Sequence, residues 1–439
     1  MNKVLRIIKG WVPVSVKRFL LFLTFPDARV WFMIQTAGYR HRRALSRLSG
    51  KPVLRCVFFA LFEDVWKYDR VYQLMERHPR FEPVIVVCPV VNYGYENMLS
   101  RMRQAYDYYQ KKGYRVVCSY DETTGKYVDV RKELHPDIIF YTNPYEVLID
   151  HRYFIKNFLD KLTVYVPYFM TDIRDYAFAY DQLLHNLVWR MYLENSISLQ
   201  CAQASSRRQG RNMVVSGYPG IETFIDPSYL AKDDCWKIKD HTHKRIIWAP
   251  HHTIYPVEGI HYSCFLFYAD FMLEMARKYK DEVEFAFKPH PVLKNKLYEE
   301  WGKEKTDAYY AQWAEMPNTS LHEGEYGDLF LTSDAMIHDS GSFIIEYMYV
   351  DKPVMFTLRE DKPHNEFSDV ARACFEHYYF SETSDDIEQF IKHQIKGVDP
   401  LKEQRKAFVH DTLIPQGMPS ENILTDILDS VDHQILYRN

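Results

Sequence analysis

Three polar segments of the chain each follow a short apolar run, and their residue types suit an anionic ligand. His251 and His252 follow IIWAP, Lys288 and His290 follow VEFAF, and AMIH leads into residues 339–342. Imidazole, ammonium and hydroxyl groups donate hydrogen bonds, which is what a phosphate requires. If the apolar runs are parallel strands of one sheet, their carboxyl ends share one edge. The three segments therefore indicate an anion site at that edge.

The third segment reads D-S-G-S where a predicted strand gives way to a helical pattern. We expect Ser340, Gly341 and Ser342 to form the first turn of that helix, whose free backbone N–H groups and dipole favour an anion. Gly341 would let the anion approach the backbone, and the serine hydroxyls would add donors. Pyrophosphate is the anion that would use this arrangement best. Alternatively, Asp339 or Ser340 could serve only as a helix N-cap.

Other residues near this edge have roles that the sequence leaves open. Glu346 lies one helical turn beyond Ser342 and could meet a ribose hydroxyl or cap a neighbouring loop. His290 stands between two prolines, so it could be a structural loop histidine. At most one of His251 and His252 is expected to face the ligand, because neighbours in an extended segment point to opposite sides. Carboxylates do not cluster at ligand spacing here, so the sequence predicts neither a metal site nor a cofactor.

The elements that position these segments follow from the hydrophobic pattern. From residue 53 the chain alternates near-continuous apolar runs with longer helical stretches, which is typical of parallel sheets covered by helices on both faces. The predicted strands are residues 53–62, 83–91, 114–119, 137–141, 162–168 and 212–217, and then 246–250, 283–289, 335–338 and 353–357. The predicted fold class is therefore α/β, with two Rossmann-like domains facing each other across a cleft.

A charged break at residues 231–245 separates the two series of strands. We place the domain boundary there, near residue 230. The predicted organisation is an amphipathic helical segment over residues 1–50, Rossmann-like domains over residues 51–230 and 231–383, and C-terminal helices over residues 384–439.

Composition and charge exclude several classes of protein. The chain has 55 Lys and Arg against 59 Asp and Glu, a net charge of −4, so the balance does not favour binding to nucleic acid. Seven cysteines are scattered along the chain without a C-x-x-C pair. They fit neither a disulfide framework nor a zinc knuckle, and they indicate a reducing cytoplasm.

The N-terminal residues 1–25 interleave basic residues with bulky apolar ones. Their apolar run, residues 19–25, is far shorter than the roughly 20 residues that a spanning helix needs, and a signal-peptide cleavage site does not follow. Such a segment suits a helix lying on an anionic membrane surface, although it could also pack on the protein's own body. We expect a cytoplasmic protein held peripherally on the inner face of the cell membrane.

Taken together, these motifs resemble those of the CDP-glycerol glycerophosphotransferases of teichoic-acid and capsule synthesis, a family with a glycosyltransferase-B-type fold. The matching segments are GYP (217–219), IIWAPHHT (246–253), FKPHP (287–291), DLFLTSDAMIHDSGSFIIEYMYVDKPVMF (328–356) and GMPSENILTDI (417–427). The D-S-G-S stretch is also similar to the D-S-G-G turn of UDP-N-acetylglucosamine 2-epimerases, which share the fold.

The resemblance implies that a polyol phosphate, glycerol phosphate above all, moves from a CDP-activated donor to a lipid-linked or growing surface glycan, with release of CMP. Residues 51–230 would then take the acceptor and residues 231–383 the donor. His290, Ser340 and Ser342 would stabilise charge on the donor's diphosphate, with Lys288 and Asp339 beside them. A glycosyltransferase of the same fold that uses a nucleotide sugar, and a non-catalytic assembly protein of a surface-polymer complex, are the alternatives.

One motif of the family is missing. The family usually carries W-H-G-T-P-x-K after an N-domain strand, and its histidine is the proposed catalytic base, whereas this chain has YVPYFMTDIRDY over residues 165–176. Asp172 or Asp175 could take the proton of the acceptor hydroxyl instead, or His251 or His252 could do so from the opposite domain. A changed acceptor or a lost activity would also account for the difference.

Overall fold

Two all-parallel β-sheets organise the protein. The structure is a computed structural model that describes residues 26–239, 242–256, 261–359 and 366–437. In chain order, the N-terminal elements are α1 (Pro26–Leu48), β1 (Leu54–Ala60), α2 (Asp69–Arg77), β2 (Phe81–Val87), α3 (Tyr95–Lys111), β3 (Val116–Cys118), β4 (Tyr120–Asp121), β5 (Lys126–Tyr127), α4 (Val130–Glu133), β6 (Ile138–Tyr141), β7 (Leu162–Tyr165), α5 (Tyr176–Tyr180), α6 (Leu183–Leu187), β8 (Arg190–Leu193), α7 (Ser196–Ser205), β9 (Met213–Val215) and α8 (Glu222–Ile225). The seven-stranded sheet has the order β3-β2-β1-β6-β7-β8-β9, and β4 and β5 form a separate hairpin.

The second sheet follows residue 243. Its elements are β10 (Lys244–Ala249), α9 (Phe265–Lys278), β11 (Val283–Phe287), α10 (Leu293–Trp301), α11 (Lys303–Glu315), β12 (Thr319–Leu321), α12 (Gly327–Thr332), β13 (Ala335–His338), α13 (Gly341–Glu346), β14 (Val354–Thr357), α14 (Asp369–Phe375), β15 (Tyr379–Ser381), α15 (Ser384–Ile395), α16 (Lys402–Phe408) and α17 (Pro419–Asp432). The six strands have the order β12-β11-β10-β13-β14-β15. Short 3₁₀ turns at Ile155–Asn157, Pro219–Ile221 and Tyr347–Val350, and a π turn at Val409–Leu413, complete the list.

The predicted fold class is confirmed, and every predicted strand is present. The sequence missed β8, β12, β15 and the hairpin of β4 and β5. β12 and β15 have three residues each, too few for an apolar run to stand out. β8 begins at the charged Arg190, which is fully buried.

Burial on both faces explains why the strands read as continuous apolar runs. In β1 every residue except Arg55 is buried, and the ring of Phe58 stacks on that of Phe140 in β6 with centroids 4.2 Å apart. Each such side chain stabilises the fold by about 1.5–3 kcal/mol relative to an exposed one. The sheets are therefore firm supports for the polar residues at their carboxyl ends.

The last helix returns to the N-terminal domain. Asp426 in α17 accepts hydrogen bonds from Arg190 Nε at 3.0 Å and from the Tyr192 hydroxyl at 2.7 Å. Arg190 also donates to Ser430 Oγ at 3.0 Å. Removing one partner of a buried ion pair typically costs about 3–5 kcal/mol, so α17 is fixed to the first sheet.

The predicted N-terminal segment is described only from α1 onward, and residues 1–25 lie outside the described residues. Within the described part of the chain, no helix is both long and apolar enough to cross a bilayer. None of the seven cysteines forms a disulfide bond.

Candidate active site

A cavity of about 550 Å³ opens between the two sheets, at the carboxyl ends of their strands. From the N-terminal domain it is lined by Asp64, Tyr168, Phe169 and Met170. The loops after β10, β11 and β12 and the start of α13 supply the opposite wall, which consists of Ala249, Pro250, Lys288, Pro289, His290, Pro291, Glu323, Gly324, Glu325, Tyr326, Ser340, Ser342, Phe343 and Glu346.

The structure brings part of the predicted set to this cavity. The predicted residues that line it are Lys288, His290, Ser340, Ser342 and Glu346. The remaining predicted residues are not among the lining residues; they are Asp172, His251, His252, Asp339 and Gly341. Their contacts show that they support the lining from behind or beside it.

His290 is held as a neutral hydrogen-bond donor. Its backbone N–H donates to the Pro250 carbonyl at 3.0 Å, and its Nδ1 accepts from the Val292 N–H at 3.2 Å. Burial first, and then the positive charge of His252 and Lys288, lowers the pKa of His290 to about 4. With Nδ1 occupied as an acceptor, the single proton of the neutral ring sits on Nε2, where it can be donated to a ligand.

His251 and His252 surround that ring. Their ring centroids lie 5.0 Å and 4.2 Å from the centroid of His290. His251 Nδ1 is 2.8 Å from the Thr253 hydroxyl oxygen. Burial and the charge of Lys296 lower the pKa of His252. The two rings therefore confine the ring of His290.

The three histidines have the spacing of metal ligands, with one ring nitrogen from each within 4.8 Å of the others. Two observations favour an anion over a cation at this place. Lys288 and Lys296 act on His290 and His252 as positive charges. His290 would also have to release the Val292 N–H and move its proton to Nδ1 before Nε2 could bind a metal.

Lys288 carries a cationic group to the cavity wall from an almost buried position. Lys288 is only 5% exposed, and its Nζ lies 5.8 Å from the centroid of the Tyr326 ring. Burial lowers the pKa of Lys288, while the charges of Glu325 and Glu323 raise it. A buried ammonium gains most from an anionic ligand placed beside it.

Asp339 does not face the cavity but braces the loops around it. Its carboxylate accepts hydrogen bonds from the backbone N–H groups of His251 at 2.5 Å and Cys264 at 2.6 Å. These contacts join the end of β13 to the end of β10 and to the start of α9. Asp339 therefore sets the position of the histidine loop, a contribution that its place in the sequence did not indicate.

The start of α13 differs from its prediction in one respect. Ser340 is the N-cap residue, but its side chain makes no capping hydrogen bond. Gly341 is buried rather than open to a ligand, because the carboxylate of Asp172 covers it: an ideal Cβ on Gly341 would lie 2.0 Å from Asp172 Oδ2. The glycine thus accommodates a side chain of the other domain. Ser342, the next residue, is exposed and lines the cavity.

Asp172 belongs to a contact that joins the two domains. Its carbonyl accepts from the Ser368 N–H at 2.8 Å, and the next residue, Ile173, forms an antiparallel bridge with Phe367. Burial raises the pKa of Asp172 to about 6, against the opposing effect of backbone N–H groups. Asp175, the other candidate on this segment, caps α5 by accepting from the Phe178 N–H at 3.0 Å.

Glu346 lines the cavity one turn into α13 and is paired with a tyrosine. The Tyr326 hydroxyl donates to Glu346 Oε2 at 2.6 Å. Burial raises the pKa of Glu346, and the Asp172 charge adds to this, while Tyr326 and Lys67 oppose it. Glu346 therefore holds a carboxyl group of increased basicity next to Ser342.

Sequence reasoning missed several lining residues. Tyr326, Glu323 and Glu325 follow β12, a strand whose three residues gave no signal. Asp64, Tyr168 and Phe169 belong to the N-terminal domain and line the cavity because the two domains face each other. Their position after β1 and β7 could have indicated them, because ligand-binding residues lie at the carboxyl ends of parallel strands.

The chain is similar to known proteins in part of its sequence and in its fold. The model of the family described as CDP-Glycerol:Poly(glycerophosphate) glycerophosphotransferase matches residues 189–406. No curated protein sequence matches the chain. Among solved structures, the wall teichoic acid polymerase TagF is similar with a TM-score of 0.57 and 13% identity, covering 92% of this chain and 97% of that one.

Two epimerases have the same fold. The UDP-GlcNAc 2-epimerase from Neisseria meningitidis, bound to UDP-GlcNAc, has a TM-score of 0.54 and 14% identity, with 86% of this chain and 99% of that one covered. The UDP-GlcNAc 2-epimerase from Methanocaldococcus jannaschii has a TM-score of 0.54 and 10% identity, with coverage of 85% and 99%. These likenesses show the fold. The family match includes the whole wall from Ala249 to Glu346, and residues 189–406 of the chain belong to the CDP-glycerol:poly(glycerophosphate) glycerophosphotransferase family.

Proposed function

We propose that the protein transfers glycerol phosphate, or a related polyol phosphate, from a CDP-activated donor to a lipid-linked or growing surface glycan. The observation that carries the proposal is the convergence of Lys288, His290 and Ser342 on one wall of the cavity. An acceptor hydroxyl oxygen bonds to the phosphorus that bears the glycerol. The bond from that phosphorus to the bridging oxygen breaks, and CMP leaves.

The donor wall stabilises the charge that collects on the departing CMP. Lys288 supplies a cation from a low-dielectric position, and His290 Nε2–H supplies a fixed donor that needs no reorganisation. The Ser342 hydroxyl adds a further donor at the start of α13. His251 and His252 keep the His290 ring in place, and Asp339 keeps the loop that carries them.

We propose Glu346 as the group that takes the acceptor's proton. It lines the cavity, burial raises its pKa, and Tyr326 occupies only one of its carboxylate oxygens in a hydrogen bond of 2.6 Å. A base with a raised pKa accepts a proton more readily near neutral pH. Asp172 is then a positioning residue, since it lies against Gly341 and outside the lining.

We also propose a membrane surface as the site of action, because a lipid-linked acceptor is held there. α1 exposes Trp31 and Phe32, at 62% and 49%, on a helix that also carries arginines. Aromatic rings and cations together suit the interface of an anionic leaflet. Deleting residues 1–25 should reduce sedimentation with anionic vesicles, and added salt should weaken it for the full chain. Equal sedimentation of both forms would contradict this part.

Donor specificity tests the proposed function. The full chain is incubated with CDP-glycerol, CDP-ribitol and a panel of nucleotide sugars, each with a membrane fraction that supplies acceptor, and the released nucleotide is identified. The proposal expects CMP from a CDP-polyol. Release of a nucleoside diphosphate from a nucleotide sugar would indicate a glycosyltransferase, and no release from any donor would indicate an assembly protein.

A further inference from the structure

The N-terminal wall of the cavity continues outward as a row of aromatic rings. Tyr168 and Phe169 line the cavity, with ring centroids 4.7 Å apart. The hydroxyl oxygens of Tyr145 and Tyr168 are 3.3 Å apart, and the Tyr145 ring stacks on Phe178 with centroids 5.2 Å apart and planes 27° apart. Phe178 is 41% exposed. We call Tyr145, Tyr168, Phe169 and Phe178 the aromatic surface.

Neighbouring elements of the first sheet hold the aromatic surface. Tyr145 follows β6, while Tyr168 and Phe169 follow β7, and these two strands pair in parallel register. The Tyr145 N–H donates to Asn143 Oδ1 at 3.0 Å, and the Phe178 N–H donates to Asp175 Oδ1 at 3.0 Å. Rings supported in this way are available for binding at small cost in conformational entropy.

We propose that the aromatic surface binds a pyranose ring of the acceptor, so that the acceptor presents an uncharged sugar beside the reacting phosphorus. This inference rests on the proposed function. The C–H face of a pyranose is apolar and packs flat on an aromatic ring, in the manner of other ring contacts. The hydroxyl groups of Tyr145 and Tyr168, 3.3 Å apart, are of the kind that exchanges hydrogen bonds with the hydroxyl groups of a sugar.

Charge favours a sugar over a polyanion. On this side the cavity is lined by the carboxylate Asp64 and by uncharged groups, whereas the cation Lys288 belongs to the opposite wall. A chain of glycerol phosphate units would bring negative charge toward Asp64, and like charges repel. An uncharged ring avoids this repulsion.

The sequence of this wall supports the same conclusion. Tyr168 and Phe169 lie within residues 165–176, the segment in which the chain departs from the family's W-H-G-T-P-x-K pattern. In this segment the chain has the aromatic rings of Tyr168 and Phe169 and no histidine. A changed acceptor would account for this difference.

Ligand binding by the full chain tests the inference without depending on turnover. Saturation-transfer NMR is recorded with a panel of methyl pyranosides and, separately, with glycerol 3-phosphate. We expect pyranoside ring protons to receive saturation, and their affinity to fall about tenfold in Phe178→Ala and Tyr168→Ala, the scale of one lost ring contact. Tyr168→Phe keeps the ring and should retain most of the affinity.

Phe267→Ala is the matched control. Phe267 lies in the C-terminal domain, is 66% exposed and contacts Arg359 of the same domain. It should bind pyranosides like the parent. The proposal is overturned if no pyranoside binds, if the Phe178 and Tyr168 variants bind as well as the control, or if glycerol 3-phosphate binds more tightly and its affinity falls in those variants. CMP release from CDP-glycerol is measured in parallel: its absence with intact sugar binding overturns the proposed function and leaves the sugar site standing.

Discussion

The carboxylate of Asp172 in the N-terminal domain lies directly on Gly341, the first residue of α13 in the C-terminal domain. An ideal Cβ at position 341 would be 2.0 Å from Asp172 Oδ2 and 3.2 Å from Tyr262 Cε2. The helix that presents Ser342 and Glu346 to the cavity thus meets the N-terminal domain at a residue without a side chain. The contact links the position of this helix to that of the N-terminal domain.

Gly341→Ala should disturb this contact. The added methyl group forces Asp172 to move, and overpacking of this kind costs about 1–3 kcal/mol of unfolding free energy. In the double variant with Asp172→Gly the obstruction is gone, so the two effects should be strongly non-additive. Thermal or denaturant unfolding of both single variants and the double variant measures this. Additive losses would show that the two residues are independent.

Asp172→Asn should stabilise the protein in a pH-dependent manner. The pKa of Asp172 is raised from 3.8 to about 6, so the folded protein binds the proton more tightly than the unfolded chain. Stability from this group is therefore present below pH 3.8 and is lost as the pH rises to 6, by up to about 3 kcal/mol. The melting temperature of Asp172→Asn should exceed that of the parent at pH 8 and converge with it near pH 4. A constant difference would contradict the assigned pKa.

His290→Ala should lower turnover with CDP-glycerol by about a hundredfold or more, the usual scale for one preorganised donor. His290→Gln keeps a donor and should be milder. His410→Ala is the control, because His410 is exposed, pairs with Asp411 and lies 120 positions after His290 in the sequence. Normal turnover in His290→Ala, with normal melting, would make His290 a structural loop residue.

Glu346 should determine the acidic limb of the pH–rate profile. Its raised pKa means that the rate falls as the pH drops through that value, since the protonated carboxyl cannot accept a proton. Glu346→Gln should abolish this limb together with most of the activity. Tyr326→Phe removes a hydrogen bond that lowers the pKa of Glu346, so the limb should move to higher pH. An unmoved limb in Tyr326→Phe would exclude Glu346 as the base.

Much of this architecture follows from local sequence. The strands of both sheets are buried on both faces, so their apolar runs are long enough to be seen, and parallel pairing then places residues 288–290 and 339–342 on one edge. β12 is too short to be recognised in the sequence, so Tyr326, which follows it, was not predicted as a site residue. The contact of Asp172 with Gly341 depends on how two domains meet, which no local pattern encodes.

The same distinction explains the role of Gly341. In the sequence, a glycine between two serines at a helix start indicates a backbone open to an anion. In the structure the space above it is filled by a residue that is 169 positions away in the chain, and the opening to the cavity lies one residue further on, at Ser342. Local chemistry predicted the helix start, while tertiary packing decided which of its residues faces the ligand.

The central claim, that the start of α13 and the wall beside it hold the donor's diphosphate, is tested most directly by calorimetric titration of CDP into Ser342→Asp and Ser342→Asn. Both side chains are of similar size and suit a helix start, so only the charge differs. The account predicts that the aspartate variant binds CDP at least about tenfold more weakly than the asparagine variant, since its carboxylate repels the diphosphate. Equal affinity of the two variants would contradict the account.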